Sequence, residues 1–167
     1  MYRKLEDFFS SYKTLSEGTA GLLARLTDNS LLQPVTDGHR TLGEVAWHLV
    51  VTTPEMMSQT GLTLSAIDHT AMPPEAASEF VSAYERASGE LVNAIRESWT
   101  DESLQEEDEM YGALWKRGDT LRILENHEIH HRAQITILMR QAGLSVPGLF
   151  GPSKEEWTQY GMELPSY

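Results

Sequence analysis

Apolar side chains recur every three or four residues along four long stretches of this chain, which commits it to helices rather than sheets. The first stretch runs from about Leu5 to Leu26, with Leu5, Phe8, Phe9, Tyr12, Leu15, Leu22, Leu23 and Leu26 mostly on one face; Gly18 and Gly21 weaken its middle. The second begins at Thr41, where Thr41 and Glu44 spell a capping box, and runs towards Gly61. Pro54 lies inside it and predicts a kink or an irregular turn, because proline has no amide hydrogen to donate. The third follows Pro73 and Pro74, with Phe80, Tyr84, Ala87, Leu91, Ala94, Ile95 and Ser98 inward and Trp99 near its end. The fourth starts at Asp119 or Thr120, with Asp119 as N-cap, and stops at Gly143. Such a helix is roughly 35 Å long, enough to span a small domain.

Residues 27–40, 60–74 and 101–118 read as long connections, and the tail with Pro147, Gly151, Pro152 and Pro165 as a loop holding a short helix around Lys154 to Tyr160. The acids Asp101, Glu102, Glu106, Glu107, Asp108 and Glu109 lack the spacing of a calcium loop, so this stretch reads as solvated, with room for a short hairpin. Regular alternation of Val, Ile and Thr is absent. The expectation is an all-α four-helix bundle with long crossover loops, a single domain over residues 1–167.

Charge and composition narrow the function. Twenty-five acids oppose 13 lysines and arginines, for a net charge of -12, so binding to nucleic acid or to an anionic membrane surface is not expected. The chain has no cysteine, which removes disulfides, thiolate metal ligands and a cysteine nucleophile. No signal-peptide core follows Met1, and no apolar run approaches the roughly 20 residues of a membrane span, so a soluble, cytoplasmic protein is expected.

The chemistry points to histidine. His127 and His131 are four residues apart on the fourth helix, so they share a face. Two imidazoles so placed can bind one metal ion, and Leu124, Ile135 and Leu138 on the same stripe turn the pair inward. The same repeat also suits two polar residues beside a core. His48 is the single ionisable group within Val45–Val51, on the stripe of Thr41, Val45, Thr52 and Met56. Alone it reads as a hydrogen-bonded core residue; beside the inward pair it becomes a third ligand, leaving an open position for water or substrate. His130 lies about 100° from His131 around the helix and is a packing residue or proton carrier instead. His39 and His69 fall in loops.

Glu128 stands where the zinc-protease motif keeps its general base, although no peptide-binding strand accompanies it. It is therefore a candidate base, and, with Glu44 and Glu55, a candidate fourth ligand if the site is closed and merely structural. Arg132 can anchor a substrate carboxylate, tie down the acidic loop or form a surface ion pair. Trp47, Trp99, Trp115, Trp157 and Tyr111 read as packing residues.

The lone histidine of the second helix, the His-x-x-x-His-Arg-x-Gln run from His127 to Gln134, and the Gly-Leu-Ser-Val-Pro-Gly segment after it resemble the DinB-like, YfiT-related metalloprotein superfamily. Ala133 stands where that family often has glycine, a departure that touches no ligand. The resemblance implies an up-up-down-down bundle, usually a homodimer. It implies one divalent ion, zinc or nickel, on three histidines, here His48, His127 and His131. It also implies a thiol-dependent transferase or isomerase using a thiol of the bacillithiol, mycothiol or glutathione type on a small-molecule substrate. DNA binding is not implied. The alternatives are a non-catalytic, stress-associated metal-binding bundle and a metal-dependent hydrolase.

Overall fold

The computed structural model describes residues 1–163 and has helices where the periodicity puts them: α1 (Leu5–Leu23), α2 (Leu42–Ser58), α3 (Ala77–Ser98) and α4 (Arg117–Gln141). Pro165, expected in the tail loop, lies outside the described residues. α1 ends three residues before Leu26, and α4 starts two residues before Asp119, with Lys116 rather than Asp119 as N-cap. α2 is continuous through Pro54, so no irregular turn forms there. The short helix expected in the tail is a 3-10 turn, Trp157–Tyr160.

The free backbone groups at helix ends find partners both nearby and far away. Thr41 and Glu44 form both bonds of the capping box, Glu44 N–H to Thr41 Oγ1 (3.3 Å) and Thr41 N–H to Glu44 Oε2 (2.7 Å). At the other end of the chain α4 closes in a Schellman motif. Gly143 takes φ 78° and donates to the Arg140 carbonyl (3.1 Å), while Leu144 donates to that of Met139 (2.8 Å). α1 and α3 borrow caps from distant loops. Asp101 accepts from Leu5 N–H, and Asp28 accepts from Ala77 N–H, each at 2.8 Å.

Two apolar clusters fix the helix directions. One gathers Leu22 and Leu23 of α1, Leu42 to Val50 of α2, Phe80 to Ala87 of α3, and Ile135, Leu138 and Met139 of α4. The other gathers Phe8, Tyr12 and Leu15, Met56 and Met57, Leu91 and Ile95, and Leu121 and Leu124. The C-terminal ends of α1 and α4 therefore meet the N-terminal ends of α2 and α3. The order is up-down-down-up, which corrects the up-up-down-down order implied by resemblance. Only the connection over 59–76 has to travel the length of the bundle. Trp47 fastens it there by donating from Nε1 to the Ala71 carbonyl (2.6 Å). α1 packs on α3 and α4, and α2 packs on the same two, so α2 and α4 share one face of the bundle.

The acidic stretch is partly ordered. β1 (Glu107–Met110) pairs antiparallel with β2 (Ala113–Lys116), with Asp108 opposite Trp115. The two-residue turn needs positive φ at both positions, and Tyr111 and Gly112 supply 53° and 85°. Arg117 collects the acids: it grips Asp108 with Nε (2.9 Å) and Nη2 (3.1 Å), pairs with Glu106, and covers the Trp99 ring at 5.0 Å. The cation that ties this segment down is thus Arg117 and not Arg132.

Between the apolar clusters lies a buried polar layer. Glu128, 3 % exposed, accepts from Thr19 Oγ1 of α1 (2.5 Å) and from the Tyr84 hydroxyl of α3 (2.6 Å). Arg132, 2 % exposed, donates from Nη1 to the Leu15 carbonyl (3.2 Å) and lies 5.2 Å from the Phe150 ring. Gly18 leaves the space its guanidinium fills, since a Cβ there would stand 3.0 Å from Nη2. Burial pushes the Glu128 carboxyl above its ordinary range, against the pull of its two hydrogen bonds and of Arg132. Tyr84→Phe removes one of those bonds to a buried acid. It should lower the unfolding free energy by about 2 kcal/mol, read as an earlier urea midpoint with unchanged slope.

Candidate metal centre

The antiparallel contact of α2 and α4 brings three histidines together. His48 comes from the second turn of α2, His127 and His131 from the middle of α4. One ring nitrogen from each lies within 4.8 Å of the others. The ring centroids stand 5.1 Å (His48 to His127), 4.7 Å (His48 to His131) and 4.4 Å (His127 to His131) apart, all edge-on. Three nitrogens in such a triangle can hold one divalent ion.

The details suit a ligand set. His131 Nε2 is 3.1 Å from His127 Nε2. Two nitrogens bound tetrahedrally at 2.0–2.1 Å from one ion would be roughly 3.4 Å apart, so little movement is needed. His131 Nδ1 is 2.7 Å from the Gln134 side-chain oxygen, which only accepts. Nδ1 therefore carries the hydrogen, and the Nε2 lone pair faces the other histidines. This is the outer hydrogen bond by which a ligand imidazole is commonly oriented. The Gln134 nitrogen in turn faces His130 Nε2 at 3.4 Å.

Burial keeps the imidazoles uncharged. It is the leading reason that His48 and His127 are pulled down to about 4 and that His131 is lowered too. The charged neighbours add to this. His131 and His127 lower His48, His131 lowers His127, His130 lowers His127 and His131, and Arg40 lowers all three, while the Gln134 hydrogen bond raises His131.

The other expected residues lie elsewhere. His39, His69 and His130 are exposed. Glu44 is held in the capping box. Glu55 accepts from the Tyr111 hydroxyl (2.8 Å), which joins the hairpin turn to α2. Glu128 is bonded to α1 and α3 within the polar layer, so it does not sit free as a base beside the histidines. Arg132 is buried in that layer, which removes both the surface ion pair and the exposed substrate anchor as its role. Among the described residues no acid joins the histidine group. The tryptophans mostly pack as expected, Trp47 against Phe80 and Trp99 under Arg117. The orienting role of Gln134 was not read from the sequence, although its position one turn after His131 was the available signal.

Comparison with known proteins gives the same grouping. The DinB family matches residues 1–163. YrdA, an uncharacterized protein of Bacillus subtilis (strain 168), is 41 % identical over 165 residues, covering 99 % of both chains. The crystal structure of a DinB-like protein from Bacillus cereus ATCC 10987 superposes with a TM-score of 0.86 at 38 % identity, covering 90 % of this chain and 100 % of that one. The DinB-like protein YjoA of Bacillus subtilis shares the fold with a TM-score of 0.60 at 16 % identity, over 86 % of this chain and 97 % of that one. The chain belongs to the DinB family.

Proposed function

We propose that this protein is a metal-dependent enzyme, a thiol-dependent transferase or isomerase acting on small electrophiles, with His48, His127 and His131 as the ligands of one zinc or nickel ion. The observation that carries this reading is the donor set: three imidazoles that burial keeps neutral, joined by no carboxylate among the described residues. A structural site closes its coordination with a fourth protein ligand, and a catalytic one leaves a position open. The three acids available for closure are engaged in the capping box, at the hairpin turn and in the polar layer. That disfavours a purely structural staple. A hydrolase with Glu128 as base is disfavoured by the same placement.

Held by His48, His127 and His131, a divalent ion would supply Lewis acidity, which would make a bound thiol or water more acidic near neutral pH. The chain's own contribution is placement. His48 faces the α4 pair across the helix contact, and Gln134 holds the tautomer of His131. Burial keeps all three nitrogens unprotonated and ready to bind.

His127→Ala should reduce metal content from about one equivalent to a background level while the helical circular dichroism stays intact; an unchanged metal content would refute the ligand assignment. Gln134→Leu should retain the fold and weaken metal affinity about 10- to 100-fold, measured by competition with a chelating dye.

The proton balance gives a further expectation. Unfolded histidines titrate near 6.5, whereas His48 and His127 are held down at about 4 in the folded chain. Between these values the unfolded chain binds protons that the folded site does not. The metal-free protein should therefore lose stability as pH falls from about 6.5 towards 4. Urea midpoints at pH 7.5 and 5 should show a smaller loss for His127→Leu than for wild type.

A further inference from the structure

A cavity of about 590 Å³ opens beside the start of α2, within the size range of small-molecule sites. Four segments enclose it: the 3-10 turn Ser30–Leu32 with the residues before it, the first turn of α2, Pro73 and Pro74 of the long connection, and the start of α3 at Phe80. None of the three histidines lines it.

Its walls are apolar and braced. Leu31 and Phe80, 7 % and 0 % exposed, form the floor, and Leu32 stands 74 % exposed at the rim. Hydrogen bonds tie the turn to both neighbouring helices. Leu42 N–H donates to the Gln33 carbonyl (2.8 Å), and Ala77 N–H donates to Asp28 Oδ1 (2.8 Å). Gly43 lets the turn come close to α2, since a Cβ there would stand 3.2 Å from both the Cβ and the carbonyl oxygen of Leu31. Trp47 packs edge-on against Phe80, with ring centroids 5.7 Å apart. A cavity framed in this way keeps its shape without a ligand, which lowers the cost of filling it.

The rim carries one sign of charge. Asp28, Glu44 and Glu75 line the cavity, and no lysine or arginine does. Other acids of the chain meet cations: Asp101 takes Lys4, Glu106 and Asp108 take Arg117, and Glu155 takes Arg140. Among the described residues the three rim acids pair with none. Asp28 and Glu44 each use one carboxylate oxygen at a helix end, Asp28 for α3 and Glu44 for the capping box. An apolar floor under an uncompensated acidic rim disfavours anions and suits a molecule with a hydrocarbon body and a positive charge.

We propose that this cavity binds a small organic cation, with its hydrocarbon against Leu31 and Phe80 and its charge among Asp28, Glu44 and Glu75. Burial of the apolar body supplies most of the affinity, and the carboxylates supply the selectivity. The site is separate from the histidine centre and does not rest on the metal reading.

The test uses the full-length, isotope-labelled protein and three probes of similar shape, phenylbutylammonium, phenylbutanol and phenylbutyrate, followed by backbone amide shifts. The ammonium has no lone pair to offer a metal ion. The amides of Leu31, Leu32, Gly43 and Phe80 should move with the ammonium, which should bind about tenfold more tightly than the alcohol, while the carboxylate leaves them unmoved. Asp28→Asn, Glu44→Gln and Glu75→Gln remove charge but keep the oxygens that accept at the helix ends. Combined, they should reduce the ammonium to the affinity of the alcohol. A control that removes as much charge from exposed acids at the other end of the bundle, Glu97→Gln with Glu107→Gln and Glu109→Gln, should stay within twofold of wild type. Equal binding of ammonium and alcohol, undiminished ammonium binding in the rim variant, or no movement of these amides with any probe overturns the proposal. Movement of the same amides with a peptide of leucine and lysine, but with none of the three probes, overturns the small-molecule assignment and makes the cavity a protein-docking groove. None of these outcomes touches the metal reading, which the metal content of His127→Ala tests separately.

Discussion

The rotation of α4 about its own axis is the constraint on which the site depends, and the buried carboxylate of Glu128 sets it. Glu128 takes hydrogen bonds from Thr19 on α1 and Tyr84 on α3, the two helices opposite the histidine face. A helix held from that side has no freedom to turn, so His127 and His131 must point at α2. A buried acid with only apolar neighbours would cost several kcal/mol. Here the hydroxyls and the nearby Arg132 offset that cost, and the return is a defined register. An all-leucine seam would pack at several rotations, whereas this polar layer is satisfied at one.

The same logic explains the division of labour along α4. At 100° per residue, Glu128 lies about 100° from His127 and about 60° from His131. Periodicity alone therefore cannot say whether it joins the histidines or turns to the other helices. The sequence motif around it suggests a base, and the packing makes it a strut. Arg132 follows the same course: one residue beyond a ligand, it is drawn under the Phe150 ring and onto the Leu15 carbonyl rather than out to a substrate.

What was legible from residues alone is what depends on local spacing. The four helices, the Thr41 and Glu44 box and the His127 and His131 pair follow from offsets of three or four, and the Gly143 stop from residue type; His48 joined the pair only as the lone ionisable group of an inward stripe. What was not legible depends on contacts across the chain. The caps of α1 and α3 come from Asp101 and Asp28, far away in sequence. The helix directions follow from which ends share a cluster, and no local pattern encodes that. The hairpin was only half visible, because its strands are four residues each and mostly exposed, so the alternation that would mark them is short and acidic. Pro54 was read as a disruption because its missing amide is a local fact. The continuity of α2 is a tertiary one, supplied by burial of Thr53, Met56 and Met57 on either side.

Charge distribution joins these parts into one argument. The chain is strongly acidic, yet the acids considered as further ligands are bonded elsewhere: Glu44 in the capping box, Glu55 to Tyr111 and Glu128 in the polar layer, while Arg117 holds Asp108 of the hairpin. A metal site in an acidic protein would gain affinity from any carboxylate that joined it, at the cost of occupying the position where chemistry occurs and of neutralising the ion's charge. With the acids bonded elsewhere, an ion held by the three histidines would be bound less tightly but would be more electrophilic. On the proposed reading, that trade suits an ion that activates a ligand better than one that only joins helices, and the bonds of Glu128, Glu55 and Glu44 would help to leave its fourth position free.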